Sequence, residues 1–327
     1  MLPDPMAVVR AGSAALRFFL GDSLELLLEL PEESVSVIVT SPPYNLGIKY
    51  RSYDDRMPRD KYLDWTRKWI AAAARVLEPT GSLFLNVGGK PSDPWGPLDV
   101  AQAARPYLVL QNTIHWVKSI VIDRDLAGKA AALERDLAVG HYKPINSRVF
   151  LNDCHEFIFH FTPRGATPLD RTSIGVAYQD RSNVARWKSA ASGLRCRGNT
   201  WFMPYDTIQS RDRERPHPAT FPPLLAERCM RLHGLSRTSL VLDPFVGLGS
   251  SAVAAAHLGV DFMGIDLDAA YLQEAVSRAS AVVARRAAGA GPDAVDRKAV
   301  VRRTPRPARV AKALRDVGLP FVETEED

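Results

Sequence analysis

Two short stretches carry the residue types from which a reaction centre can be built. The first is Thr40-Ser41-Pro42-Pro43-Tyr44. It follows the run Ser34-Val35-Ser36-Val37-Ile38-Val39, so Ser41 is expected where a buried strand stops and opens onto a cleft. Consecutive prolines fix φ and bar a helical continuation. Such a turn holds a hydroxyl, two outward carbonyls and an aromatic ring in one rigid constellation, able to grip a flat, amino-bearing ring. The second stretch, about two hundred residues on, is Leu242-Asp243-Pro244-Phe245-Val246-Gly247-Leu248-Gly249-Ser250. It reads as a strand end, a glycine-bearing turn and the start of a helix, where backbone can pass close to a ligand and free N–H groups can face it.

A glycine turn of this kind often serves only to pack a helix on a sheet. Here an acidic residue closes the preceding strand, and the next strand ends Gly264-Ile265-Asp266. That places Asp266 roughly twenty residues beyond the loop, where a carboxylate can hold two ribose hydroxyls. The third glycine of the dinucleotide fingerprint is missing, with Ala252 and Ala255 nearby instead, and no lysine follows the loop as a phosphate-binding P-loop requires. A nucleoside without phosphates is the better-fitting ligand.

The elements that must position these stretches are legible from periodicity. Leu16–Leu20 reads as a strand, and Ser23 as the cap of a short helix Leu24–Leu30. Val35–Val39, rich in β-branched residues, predicts a strand buried on both faces. Tyr62, Trp65, Trp69, Ala72, Ala73 and Val76 recur at helical spacing, a stripe that packs on a sheet. Pro79-Thr80-Gly81 ends that helix before a strand Ser82–Val87. Strands are expected at Val109–Val117 and His155–Phe161, the second with His155, Phe157, Phe159 and Phe161 on one face. Between them Ala127–Leu137 is weakly helical. A helix Pro223–Leu232, strand Ser239–Leu242, helix Ser250–Leu258, strand Phe262–Ile265 and helix Ala269–Arg285 complete the series. Strands alternating with helices imply an α/β fold with a doubly wound, mostly parallel sheet.

The 327 residues, 46% of them hydrophobic, suit one large α/β domain with an insertion, or two small ones. No stretch approaches the roughly 18 apolar residues of a membrane span, so no membrane partner is expected. The first residues lack a signal-peptide pattern, and three scattered cysteines fit a reducing cytoplasm. The formal net charge is +5, and Arg164 to Arg215 alone carries ten Lys/Arg against five Asp/Glu, an excess equal to that of the whole chain. With Tyr178, Trp187, Trp201 and Tyr205 interleaved, this window reads as a surface facing duplex nucleic acid. Cys154, His155 and His160 lack metal-ligand spacing, and no metal is expected. Asp54-Asp55 reads as solvated loop.

Taken together, Asp243-Pro244-Phe245 with Gly247, Gly249 and Ser250, then Gly264-Ile265-Asp266, resemble the S-adenosylmethionine site of the amino-DNA-methyltransferases, and Ser41-Pro42-Pro43-Tyr44 resembles their catalytic motif. The order, catalytic motif first, is that of the β class. His217-Pro218-Ala219-Thr220-Phe221-Pro222 resembles the family's additional cofactor segment, and Leu20-Gly21-Asp22-Ser23 its adenine-contacting motif. The resemblance runs from about Leu16 to Val282. It implies a circularly permuted, Rossmann-like methyltransferase with a seven-stranded sheet and an inserted DNA-recognition region. Residues 1–163 would form the catalytic half, 164–215 the target-recognition region, 216–286 the cofactor-binding half and 287–327 a disordered tail.

The roles it implies are catalysis by Ser41, Pro42, Pro43 and Tyr44, and cofactor binding by Asp22, His217, Pro218, Phe221, Asp243, Pro244, Phe245, Gly247, Gly249, Ser250 and Asp266. Arg181, Arg186, Lys188, Arg195, Arg197 and Trp201 are the expected DNA contacts. Serine at the first motif position usually accompanies methylation of cytosine N4, as in the methyltransferases of restriction–modification systems, and aspartate that of adenine N6. Cytosine N4 in duplex DNA is therefore the expected target, with adenine N6 the nearest rival. A DNA-binding protein with an idle cofactor pocket and an enzyme acting on structured RNA are further alternatives. A bacterial or archaeal, nucleoid-associated setting follows from the resemblance. It also leaves room for a cognate restriction endonuclease and a second copy of the chain as partners.

Overall fold

In the computed structural model the described residues are 2–48, 52–53, 55–126, 133–140, 147–178, 184, 193–204 and 220–289. The chain begins with β1 (Ala7–Ala11), β2 (Ala14–Leu20), α1 (Ser23–Glu29), β3 (Val35–Thr40), α2 (Arg59–Val76) and β4 (Leu77–Val87). It continues through α3 (Gly96–Ala104), β5 (Val109–Val117), β6 (Ser119–Ile122), β7 (Leu137–Gly140) and β8 (His155–Thr162). Then come β9 (Val176–Ala177), β10 (Leu194–Arg195), β11 (Thr200–Phe202) and α4 (Pro223–His233). Last are β12 (Val241–Asp243), α5 (Ser250–Leu258), β13 (Phe262–Asp266) and α6 (Ala269–Ala287).

Nine strands form one sheet in the order β1-β2-β13-β12-β3-β4-β8-β5-β11. The expected seven strands are its interior, β2 through β5, and the sheet is mostly parallel. An antiparallel β1, not anticipated, pairs with β2 at one edge, and β11 adds to β5 at the other. Strand β8 runs antiparallel to both its neighbours.

The sheet buries both faces because helices cover both. Leu225, Cys229 and Met230 of α4, Ala252–Ala256 of α5 and Leu272, Ala275 and Ala279 of α6 pack on one side. Leu26 and Leu27 of α1, Trp69, Ile70 and Ala73 of α2 and Val100 of α3 pack on the other. Alternation along β3 sends Val37 and Val39 to the first layer and Ile38 to the second. Each such fully buried aliphatic side chain contributes about 1.5–3 kcal/mol through the water it excludes. The small residues Ala252, Ala254, Ala255 and Ala256 let α5 lie close. Gly249, at φ 75°, has Ala275 so near that an added Cβ would stand 2.7 Å from the alanine's methyl.

Local chemistry differs from expectation in three places. The cap of α1 is Asp22, whose Oδ1 accepts from Leu24 N at 2.8 Å and Glu25 N at 3.1 Å, while Ser23 donates instead to the Pro244 carbonyl. At its other end, Arg75 donates to the carbonyls of Leu27, Leu28 and Leu30. Pro79-Thr80-Gly81 lies inside β4, in the irregularity between the pairs Val35–Leu77 and Val37–Ser82, because α2 already ends at Val76. The expected helix Ala127–Leu137 has residues 127–132 outside the described residues, and Leu137 opens a strand.

A polar thread crosses the core away from the cleft. His160, stacked on Phe84 at 4.4 Å, meets Asn112 Nδ2 and Ser82 Oγ at 3.0 Å each, and Ser82 also meets His233 Nδ1 at 3.0 Å. Burial holds His160 down to about 3 and His233 down to about 4. The unfolded chain takes up both protons near pH 6.5, the folded one only at those lower values. Stability contributed by the pair is therefore full above pH 6.5 and declines as pH falls, by about 2 kcal/mol per histidine at pH 5. Urea titrations at pH 7.5 and 5 should show the loss, and His160→Gln with His233→Gln should flatten it.

Candidate active site

Strands β12 and β3 are parallel neighbours, pairing Val241 with Val37 and Leu242 with Ile38. From β12 the chain winds one way through α5 to β13, and from β3 the other way through α2 to β4. The sheet's winding thus reverses between them, and such a crevice at the carboxyl ends of strands is where α/β folds bind ligands. This one adjacency brings the two stretches together. Thr40 Oγ1 donates to Asp243 Oδ1 at 2.6 Å, across 203 residues of sequence.

A cavity of ≈ 340 Å³ opens there. Ser41, Pro42, Pro43 and Tyr44 border it, as do Asp22, Phe221, Phe245, Gly247, Ser250 and Asp266. Asp243, Pro244 and Gly249 do not. Asp243 is 1% exposed and turns inward, taking Thr40 Oγ1, Ser251 Oγ and the Phe245 N–H. It ties the two strand ends together and does not border the cavity. Burial pushes its carboxyl up to about 6, against the pull of those hydrogen bonds. That contribution to stability has the opposite sign to the histidines': present below about 3.8, it is lost as pH rises through about 6. At Gly249 the absence of a side chain makes room for Ala275. His217 and Pro218 lie outside the described residues, as do Arg181, Arg186 and Lys188.

Asp266 accepts from Gly247 N and Asp268 N at 2.9 Å each. Its carboxylate thereby sets the shape of the glycine turn while bordering the cavity, and burial raises its pKa. The motifs do not anticipate the opposite wall. Trp65 and Trp69 lie 5.6 and 5.3 Å from the Phe245 ring, and with Tyr53 and Tyr271 they add aromatic rings to the cavity lining. Helical spacing assigns Trp65 and Trp69 to the core alone. Their concentration of indoles is the signal in the sequence, since the stripe's edge reaches past the sheet into the cleft.

The loop after Tyr44 is folded around Asp55. This residue, expected in solvated loop, is 1% exposed and accepts from the backbone of Asn45, Leu46 and Ile48 at 2.8–3.0 Å. Burial raises its pKa against those bonds. Asn45 adopts φ 58° and bonds Met57 through both ends of its amide. Tyr62 donates to the Pro43 carbonyl at 3.0 Å, so the Pro-Pro turn is clamped from α2. Asp54 lies outside the described residues.

Of the expected DNA contacts that are described, Arg195 is exposed on β10, and Arg197 donates to the Ile174 carbonyl at 2.9 Å. Trp201 is a correction. It is 1% exposed, in β11, with its indole N–H on the Gly198 carbonyl. An aromatic at the end of a basic window suggests a stacking surface, but this one fills the sheet edge beside β5.

The lining chemistry selects among ligands. Among the described residues, Asp22, Asp266 and Asp268 border the cavity, while no Lys, Arg or His does. That set repels phosphates and suits a nucleoside bearing positive charge. Among the described residues, no cluster of three or more His, Cys, Asp or Glu could hold a metal, and no helix is long and apolar enough to cross a membrane.

Known proteins share this architecture. The chain is 28% identical over 262 residues to the type II methyltransferase M.HpaI of Haemophilus parainfluenzae, covering 80% of this chain and 73% of that one. It is 25% identical over 272 residues to the DNA adenine methyltransferase YhdJ of Escherichia coli, covering 82% and 84%. The structure of TTHA0409 from Thermus thermophilus, complexed with S-adenosyl-L-methionine, superposes with a TM-score of 0.51 at 25% identity, covering 82% and 94%. Residues 35–277, from the strand that precedes Ser41 to the helix after Asp266, match the DNA methylase family of N6/N4 methyltransferases, and the chain belongs to that family.

Proposed function

We propose that this DNA methyltransferase transfers a methyl group from S-adenosylmethionine to the N4 amine of cytosine in duplex DNA. The observation that carries the reading is Ser41, immediately after β3, bordering the same cavity as Asp22, Asp266 and the Gly247 turn. S-adenosylmethionine supplies an electrophilic methyl carried on a sulfonium. Among the described residues the lining is acidic and aromatic with no Lys, Arg or His, which suits that charge and an uncharged nucleoside.

An exocyclic amine is a weak nucleophile because its lone pair is delocalised into the ring. Acceptors on its two N–H bonds favour the tetrahedral nitrogen and the positive charge that develops as the methyl arrives. Ser41 Oγ and the Pro42 carbonyl are suited to this role. The Pro43 carbonyl is already taken by Tyr62. Tyr44 presents its ring to the base. The amine of a paired base is held within the duplex stack, so in this reading the base leaves the stack to reach the cleft at the strand ends. Carbon methylation would need a thiolate, yet among the described residues no cysteine borders the cavity. The fully buried Cys229 thiol is pushed up by burial, away from ionisation.

Residues 164–215 form most of the target-recognition surface in this reading, with Arg181, Arg186, Lys188, Arg195 and Arg197 toward DNA and Trp201 removed from that set. The type II designation of M.HpaI supports an endonuclease of matching specificity as the functional counterpart. YhdJ, an adenine methyltransferase by name, supports adenine N6 as the second reading on the same scaffold. Digestion of methylated duplex to nucleosides separates the two. N4-methylcytosine is expected, and N6-methyladenine as the only product sinks the cytosine assignment.

A further inference from the structure

Behind Ser41 lies a polar chain that nothing in the motifs predicts. Ser41 Oγ and Tyr44 Oη are 2.6 Å apart. Asn86 Nδ2 reaches Tyr44 Oη at 2.6 Å and Glu156 Oε2 at 2.8 Å, and Tyr44 Oη lies 3.2 Å from the same Glu156 oxygen. Lys118 Nζ holds Glu156 Oε1 at 3.0 Å, and the carboxylate side chain is only 15% exposed. Room for the meeting comes from Gly88, where a Cβ would stand 3.0 Å from both Glu156 Cδ and Tyr44 Cε2.

Donor and acceptor capacities give this chain a direction. An ionised carboxylate only accepts, and an amide nitrogen only donates. Asn86 therefore spends its two N–H bonds on Glu156 and on the Tyr44 oxygen. Glu156 draws the single Tyr44 proton to itself. With its own proton committed there, Tyr44 meets Ser41 as an acceptor, so the Ser41 proton points inward and the oxygen's lone pairs face the cavity.

We propose that Glu156 is a positioning residue that makes Ser41 an acceptor toward the substrate amine. This inference rests on the amino-methylation reading above. Without Glu156, the Tyr44 hydroxyl can turn its proton toward Ser41. The serine proton would then point at the amine, which has only N–H bonds to offer along that direction. Lys118 holds Glu156 in place, and Asn86 keeps the Tyr44 oxygen oriented. The alternative is an ion pair that merely fastens the ends of β5 and β8.

The test is single-turnover methyl transfer by the unaltered protein, Glu156→Gln, Tyr44→Phe and the double variant, with cofactor and DNA dissociation constants and Tm measured for each. Glutamine keeps the shape of Glu156 but can donate, so the chain loses its direction. The expected result is a loss of roughly tenfold or more in rate for each single variant, with Kd values and Tm held. In the Tyr44→Phe background, Glu156→Gln should then change the rate by less than about twofold, as residues acting through one link are not additive. Additive losses, an unchanged rate for Glu156→Gln, or a loss explained by Tm or cofactor affinity overturns the proposal. Tyr44→Phe, which keeps the ring and cuts the same link, carries the test alone if Glu156→Gln does not fold, and an unchanged rate overturns it. No transfer by the unaltered protein overturns the parent reading and this one together. Transfer by the unaltered protein with Glu156→Gln at full rate overturns this one only.

Discussion

Ser41→Ala should lower the single-turnover rate of methyl transfer by roughly 10²–10³-fold, the scale seen when one preorganised hydrogen-bonding partner of a developing charge is removed. The substitution deletes one of two acceptors proposed for the amine and leaves the other, the Pro42 carbonyl, in place. Activity should therefore fall steeply without vanishing. Cofactor affinity should change little, because the acidic groups and the glycine turn lie on other strands: Asp22 follows β2, while Gly247 and Asp266 belong to the β12–β13 unit. The tie from Thr40 to Asp243 is also untouched, so Tm should hold. Rapid-quench measurement of labelled methyl transfer, beside equilibrium binding of S-adenosylmethionine and duplex DNA, checks all three expectations. A rate within about twofold of the unaltered protein would remove Ser41 from the reaction centre.

Trp201→Ala should act on the fold and not on the DNA. The indole is almost wholly buried, and its strand adds to β5 by pairing Thr200 with His115, Trp201 with Trp116 and Phe202 with Val117. Next to it, Trp116 donates its indole N–H to the Met203 carbonyl at 2.9 Å. Truncation leaves a cavity of most of an indole against a rigid sheet edge, at a cost of about 3–5 kcal/mol. For a domain of this size that lowers Tm by roughly 10 °C. The salt dependence of DNA binding should keep its slope, since no phosphate contact is removed. A DNA-stacking tryptophan would give the reverse: weaker binding and an unmoved Tm. Thermal unfolding and a salt titration of binding distinguish the two.

The elements that carry the site are legible in the sequence because their signals are local. The β-branched run before Ser41 forms β3, ending at Thr40. The small-residue helix after the glycine turn spans Ser250–Leu258, as its periodicity implies. The alternation His155, Phe157, Phe159, Phe161 forms one face of β8, with successive rings 5.0–6.1 Å apart. Caps and edges are less legible. Asp22 and Ser23 are adjacent and both suited to capping, and the choice between them depends on the Pro244 carbonyl 221 residues away. The short β1 and β11 lack a periodic run long enough to stand out, and exist because a sheet edge is there to pair with.

The residue types at two strand ends, their order in the chain and the absence of a phosphate-binding signature follow from the amino-acid sequence alone. These are properties of contiguous segments, in which a few residues set backbone conformation and chemistry together. The direction in which each side chain points was decided only by the packed molecule. Asp243 belongs to the cofactor motif by position, yet it turns inward because β12 lies beside β3 and Thr40 is within reach. Trp201 sits in a basic window, yet β11 buries it against β5. Glu156 carries no motif at all and meets Tyr44 across 112 residues, because β8 runs antiparallel beside β4 and Gly88 leaves the gap open. Register and layer packing among segments distant in sequence set those contacts, and no local pattern encodes which distant strand becomes a neighbour.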